Sequence, residues 1–199
     1  MSQEQLIRLS VFLIMLVTFS ISGYYRRKAD LKDEKTSFDE ENPTLLKVRN
    51  IGALLMYGSI LVFLVYPRLI AWSQVNLPTN VRWAAVIVQL LMVPAFYWQL
   101  SNLANNITPT VTIRSEHELI TSGPYKYIRH PLYTFGFLMI LSVAVASASL
   151  LIFSLVFITW IPLAMRTPLE EEKLIEAFGE DYKEYITHTG RYLPKLFKR

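Results

Sequence analysis

The stretch GPYKYIRHPLY, residues 123–133, gathers Lys126, Arg129, His130 and three tyrosines around two prolines. It leads directly into the run Leu132 to Met165, which contains no charged side chain. Each proline restricts the residue before it and can open a helical turn. Tyr125, Tyr127, His130 and Tyr133 are therefore presented on a stiffened hook at the edge of an apolar segment. Such a hook has two uses. It can anchor a helix end among lipid headgroups, with Lys126 and Arg129 extending toward them, or it can hold a ligand.

Two other places carry polar chemistry. The connector 105–131 is long, holds His117 and His130, and lacks obvious secondary structure, a combination that is often functional. The tail begins RTPLEEEKLIEAFG at Arg166. Thr167 reads there as an N-cap, Pro168 as the first helical residue and Glu170 as the third, a capping-box pattern. Glu170, Glu171 and Glu172 suit a first turn by the helix dipole alone, and Arg166 suits an interfacial anchor. Anchoring explains neither the paired prolines nor the length of the loop.

The elements that must position these residues are membrane spans. Of the 199 residues 52% are hydrophobic and 18% charged, and mean hydropathy is +0.30. The polar residues cluster at segment ends instead of recurring at helical or strand spacing. Stretches 6–25, 51–72 and 81–104 approach or exceed the about 20 residues that cross a hydrocarbon layer. The last apolar run would be ~50 Å long as one helix, so it divides at Ser147-Ala148-Ser149 into spans of about 130–147 and 150–166. The expectation is one all-α integral membrane domain, 1–199, with about five transmembrane helices. A cytoplasmic loop, 105–131, and a tail, 168–195, carrying an amphipathic helix of about 168–188, flank the last two spans. Gly179 weakens that helix by about 1 kcal/mol relative to Ala.

Five spans put loop 26–50, loop 105–131 and the tail on one side, with all of the 20 lysines and arginines except Arg8, Arg68 and Arg82. Basic loops stay in the cytoplasm, which sets the N-terminus outside. The net charge of +4 reflects this anchoring and contact with anionic lipid, with no nucleic-acid partner required. The absence of cysteine excludes disulfides, thiolate metal sites and cysteine nucleophiles, and three histidines leave little for a metal centre. No ionisable residue falls near a span midpoint, which argues against a pump, antiporter or ion channel.

GPYKYIRHPLYTFG followed by RTPLEEEKLIEAFGEDYKEYITHTGRYLP resembles the isoprenylcysteine carboxyl methyltransferase family of membrane enzymes and its small prokaryotic relatives. The resemblance covers residues 105–195 and is carried by Gly-x-Tyr, Arg-His-Pro-x-Tyr and Arg-x-x-x-Glu-Glu-x-x-Leu-x-x-x-Phe-Gly in combination. It implies S-adenosylmethionine bound on the cytosolic side, lined by His117, Glu118, Leu119 and Ile120, with Tyr125 and His130, Pro131, Leu132 and Tyr133 completing the pocket. It further implies Arg166 and Glu170 as the pair orienting substrate and cofactor. Upstream of His117, where eukaryotic members carry a cofactor-contacting glutamine, this chain has Thr110, and its N-terminal half matches no motif.

Those roles suit the side chains. Methyl transfer needs alignment and exclusion of water more than a protein nucleophile. Aromatic faces stack on adenine and attract a sulfonium. His130 or His117 can take the carboxylate of the methionine moiety and Glu170 its ammonium, while Arg166 can grip an acceptor carboxylate. The expected acceptor is a lipophilic or lipidated carboxylate such as a prenylcysteine, with no metal involved. A phospholipid amine N-methyltransferase, an NADPH-dependent sterol-type reductase and a non-catalytic scaffold are the alternatives. The sequence leaves oligomeric state open.

Overall fold

The computed structural model describes residues 1–30, 42–103 and 119–195. Their regular structure is helical: α1 (Gln3–Asp30), α2 (Pro43–Val65), α3 (Thr79–Leu103), α4 (Pro131–Ser147) and α5 (Leu150–His188). Two isolated bridges, Gln74 with Ser149 and Ile128 with Gly190, also pair backbone between separated segments. Helices α1, α2, α3 and α5 are long and apolar enough to cross a membrane, and α4 is a shorter apolar helix of 17 residues. The protein is an all-α membrane protein.

Local chemistry explains most helix ends. Asn42 caps α2 by accepting from the Thr44 and Leu45 backbone N–H groups at 3.0 and 3.4 Å, ahead of Pro43 at the first helical position. The stretch expected to span 51–72 begins earlier, at Pro43, and its helix stops at Val65. Tyr66, preceding Pro67, takes φ −138° and ψ 68°, because proline bars its predecessor from the α region. A 3₁₀ helix, Pro67–Ser73, covers the rest. Between α4 and α5 the chain turns at Ala148, which has φ 52°. Ser149 then caps α5 by accepting from the Ile152 N–H at 3.3 Å.

One end of the bundle is closed by polar ties. Arg82 donates to Glu4 and to the Ala146 carbonyl, both at 2.7 Å. Ser73 and Ser149 share a 2.8 Å hydrogen bond, and Arg8 donates to the Leu64 carbonyl at 3.2 Å. These bonds gather the starts of α1 and α3, the end of α2 and the α4–α5 turn. The hook and the α5 tail lie at the other end. Ile7, Val11, Ile60, Phe63, Val143 and Ile152 form the fully buried centre. Outward residues such as Leu54, Leu61, Val65 and Leu91 stay exposed, which suits a surround of hydrocarbon.

The tail departs from expectation. No new helix starts at Thr167, because α5 continues through Pro162 and Pro168 and kinks only at Gly179 (φ 57°, ψ −127°), beyond which a second helical stretch carries on to His188. Thr167 is fully buried. Its hydroxyl donates to the Leu163 carbonyl at 3.1 Å and accepts from the Tyr192 hydroxyl at 2.7 Å. A tertiary partner thus occupies the oxygen that would have capped a separate helix.

Candidate active site

The hook is short and heavily tied. Gly123–Lys126 forms a single 3₁₀ turn, and the Tyr125 hydroxyl accepts from Gln99 Nε2 at 3.0 Å. The Tyr125 carbonyl accepts from the Tyr185 hydroxyl at 2.6 Å. Burial pushes the Tyr125 phenol above its ordinary range, so it stays protonated near neutral pH. Pro131 opens α4 and holds His130 at φ −121°, ψ 61°.

The chain after α5 doubles back onto this hook. The Arg129 N–H donates to the Gly190 carbonyl at 2.8 Å, the Gly190 N–H to the Tyr127 carbonyl at 3.2 Å, and the His130 N–H to the Arg191 carbonyl at 3.0 Å. Position 190 has to be glycine, since a Cβ there would lie 1.7 Å from the Leu193 carbonyl oxygen. Residues far apart in sequence are thereby zipped backbone to backbone.

Around that zipper sits a charge cluster centred on Glu171, which is 5% exposed. Its Oε1 accepts from Arg129 Nε at 2.8 Å and lies 3.2 Å from His130 Nε2. Its Oε2 accepts from Arg191 at 2.6 and 3.1 Å. Arg129 also donates to the Thr189 carbonyl. Burial by itself would raise the Glu171 carboxyl, but the hydrogen bonds from His130, Arg191 and Arg129 outweigh it and hold the group well below the usual carboxylate range. Glu171 lies past Arg166, beyond the apolar part of α5. An ionised Glu171 only accepts, so the His130 ring proton facing it sits on Nε2.

The next residue up the chain faces a different group. Glu170 Oε2 accepts from the Tyr133 hydroxyl at 2.8 Å and lies 4.0 Å from His130 Nδ1. The His130 and Tyr133 rings stack with centroids 5.5 Å apart and planes within 7°. Tyr192 and Trp160 extend this aromatic wall, at 6.0 Å from His130 and 5.6 Å from each other. The Trp160 Nε1 is buried and has no hydrogen-bond acceptor among the described residues.

The residues singled out from the sequence are thus distributed unevenly. His130, Pro131, Tyr133 and Glu170 come together. Tyr125 is nearby but engaged with Gln99 and Tyr185. Leu119 and Ile120 are half-buried, Leu132 is 39% exposed, and His117 and Glu118 lie outside the described residues. Arg166, one turn before Glu170, lines a pocket against α2. Arg129, Glu171, Arg191 and Tyr192 were not anticipated. For Glu171 the sequence signals were its place as the second glutamate of the Arg-x-x-x-Glu-Glu motif and its phase, one helical turn after Thr167 on the buried face. Among the described residues no group of three His, Asp or Glu side chains could hold a metal ion.

A carboxylate partly open to solvent beside four aromatic rings, with an unpaired indole N–H, is a donor set that suits a ligand combining a cation with a flat heterocycle.

Comparison with known proteins bears on the same part of the chain. Residues 83–176 match the family described as Isoprenylcysteine carboxyl methyltransferase (ICMT). Similar relatives include the cobalt-zinc-cadmium resistance protein CzcN of Cupriavidus metallidurans, 37% identical over 42% of this chain and 38% of its own length. The protein-S-isoprenylcysteine O-methyltransferase of Dictyostelium discoideum is 36% identical over 42% of this chain and 35% of its own. The methanethiol S-methyltransferase of Pseudomonas deceptionensis is 40% identical over 36% of this chain and 27% of its own. The chain therefore spans less than two fifths of the length of the curated relatives it matches.

Proposed function

We propose, for a membrane protein whose segment 83–176 matches the isoprenylcysteine carboxyl methyltransferase family, that it is an enzyme methylating a lipophilic, membrane-associated acceptor from S-adenosylmethionine. The acceptor group is a carboxylate such as that of a prenylcysteine. The observation that carries this reading is the meeting of the Tyr133 hydroxyl with Glu170 at 2.8 Å, which joins the hook to the acidic part of α5.

The residues present fit this cofactor. Glu170 has one oxygen bonded to Tyr133 and the side chain 27% exposed, which leaves it able to hold an ammonium. The rings of His130, Tyr133, Tyr192 and Trp160 offer faces for a purine or a sulfonium, and the Trp160 N–H is a donor awaiting an acceptor. When bound, S-adenosylmethionine supplies an electrophilic methyl group on positively charged sulfur.

The chain's own part is positioning. His130 does not reach for a cofactor carboxylate in this reading, because its Nε2 is committed to Glu171; it serves as a rigid shelf under Tyr133. Arg166 holds the acceptor carboxylate one turn from Glu170. Glu170 would hold the ammonium of the donor and Arg166 the acceptor, so that an acceptor oxygen would face the methyl group that the donor supplies. A carboxylate is already ionised near neutral pH, so the site needs no general base. Phe137, Trp160 and Tyr192 keep water from the methyl group. The site end of the bundle is cytoplasmic, on the strength of its lysines and arginines.

Thermal stabilisation of the purified protein by S-adenosylhomocysteine and by NADPH tests the reading. Stabilisation by the first alone is expected. A response only to NADPH favours a reductase, and none to either favours a scaffold. Radiolabelled methyl incorporation into prenylcysteine and phospholipid acceptors then separates carboxylate from amine chemistry.

A further inference from the structure

The 3₁₀ helix Pro67–Ser73 sorts its side chains into three rows. At three residues per turn, positions i and i+3 eclipse each other, and the Leu69 N–H bond to the Tyr66 carbonyl at 3.2 Å sets this repeat. One row faces the protein: Pro67 is half-buried, and Ile70 and Ser73 are buried. A second row, Tyr66, Leu69 and Trp72, is apolar or aromatic and faces away, with exposures of 53, 61 and 76%. The third row, Arg68, Ala71 and Gln74, is also exposed and carries a polar side chain at either end. The Ser73 hydroxyl donates to the Ile70 carbonyl and pairs with Ser149, both at 2.8 Å, and the Val75 N–H donates to the Ala148 carbonyl at 2.8 Å. The segment is thus fastened along the α4–α5 turn, which fixes the direction of each row.

Continuity, composition and area identify what the outward row meets. The lipid-facing surface of α2 runs into it, since Leu54, Leu61 and Val65 are 74, 61 and 71% exposed. Helix α2 has 23 residues, about 34 Å at 1.5 Å per residue, against a hydrocarbon thickness of about 30 Å. Its end at Val65 therefore reaches the headgroup layer opposite the candidate site. Tyrosine and tryptophan are favoured in that layer, where the ring is buried and its polar tip stays wet. An apolar row beside a polar row is also how a helix lies in a membrane interface. A protein partner fits less well: three such side chains offer a few hundred Å², short of the roughly 800 Å² that each side buries in a stable complex.

We propose that Tyr66, Leu69 and Trp72 embed in the boundary between headgroups and acyl chains at the end of the bundle remote from the candidate site. The row of Arg68 and Gln74 turns to phosphates and water, and the embedded row holds the end of α2 at a fixed depth. This anchoring is independent of any methyltransferase activity.

The chain contains no cysteine, so Arg68→Cys, Leu69→Cys and Trp72→Cys each carry a single nitroxide on an otherwise unchanged protein. In phosphatidylcholine nanodiscs the ratio of collisions with oxygen to collisions with a water-soluble nickel chelate is measured at each label. It should be at least threefold higher at 69 and 72 than at 68. Equal ratios at the three positions would overturn the proposal by placing the row in water. Labels at 69 and 72 that neither reagent reaches would overturn it by placing the row against protein. For the anchoring, a nitroxide at Val65→Cys should lose at least half of its ratio when Leu69→Asn and Trp72→Asn are added. An unchanged ratio at 65 would overturn the claim that the row sets the depth of α2. Unfolding temperatures matching the parent certify the fold of each variant, and the three single labels decide the embedding without the double substitution.

Discussion

The Tyr133 hydroxyl donates to Glu170 Oε2 at 2.8 Å, tying the first turn of α4 to α5 across 37 residues of sequence. Its immediate neighbour Glu171 turns to Arg129, His130 and Arg191 instead. Adjacent helical residues point about 100° apart, so two consecutive carboxylates meet different surroundings: Glu171 closes a buried cluster, while Glu170 is 27% exposed beside Tyr133.

That division predicts unequal effects on cofactor affinity. Glu170→Ala should weaken S-adenosylhomocysteine binding about tenfold or more, the loss of one charge-assisted contact of about 1.5–3 kcal/mol. Tyr133→Phe should weaken it less, by freeing Glu170 to rotate. Glu172→Ala, at an exposed position, should leave affinity unchanged. Calorimetry on the three folded variants decides; equal affinities would remove Glu170 from the site.

Glu171 should matter to stability above all. Glu171→Leu leaves Arg129 and His130 buried without their partner, a loss of about 3–5 kcal/mol where a buried pair is broken from one side. Arg191→Ala should cost less, because that side chain is 43% exposed and water can replace it. Thermal unfolding in detergent should rank them in this order.

The same carboxylate sets an acid limit. Its folded pKa is depressed, so the stability it contributes is complete above the ordinary carboxylate value of about 4.3. It is lost as pH falls from there through the lower folded value. Unfolding temperature should drop below about pH 4.3 more steeply in the parent than in Glu171→Gln, which has no such proton to bind. Parallel curves would show that the cluster does not couple to protons.

Gly190→Ala should loosen the tail from the hook, since the added methyl cannot occupy space 1.7 Å from the Leu193 oxygen. Faster amide exchange at Arg129 and His130, whose N–H groups bond to Gly190 and Arg191, is the expected signature. Weaker S-adenosylhomocysteine binding should accompany it. Unchanged exchange would mean the backbone zipper is not what holds His130.

Arg166→Ala should raise KM or lower kcat for a carboxylate acceptor while leaving S-adenosylhomocysteine affinity within about twofold. Steady-state kinetics and calorimetry together check it. A loss confined to cofactor affinity would move Arg166 to the other side of the site.

The sequence by itself determined the membrane class, the turn chemistry and the helix ends that local rules govern. Apolar runs long enough to cross hydrocarbon admit only helices, Asn42-Pro43 starts one and Tyr66-Pro67 stops it. The motif around Arg-His-Pro and Glu170 was legible because those residues lie within short, ordered strings. Tertiary structure alone decided which of three successive glutamates is buried, that Thr167 answers Tyr192 and not its own helix N-terminus, and that Arg191 returns to Arg129 and His130. The physical reason is range. A cap or a proline acts over about one turn, whereas a buried carboxylate is stabilised only by whichever cations the whole fold brings within hydrogen-bond distance.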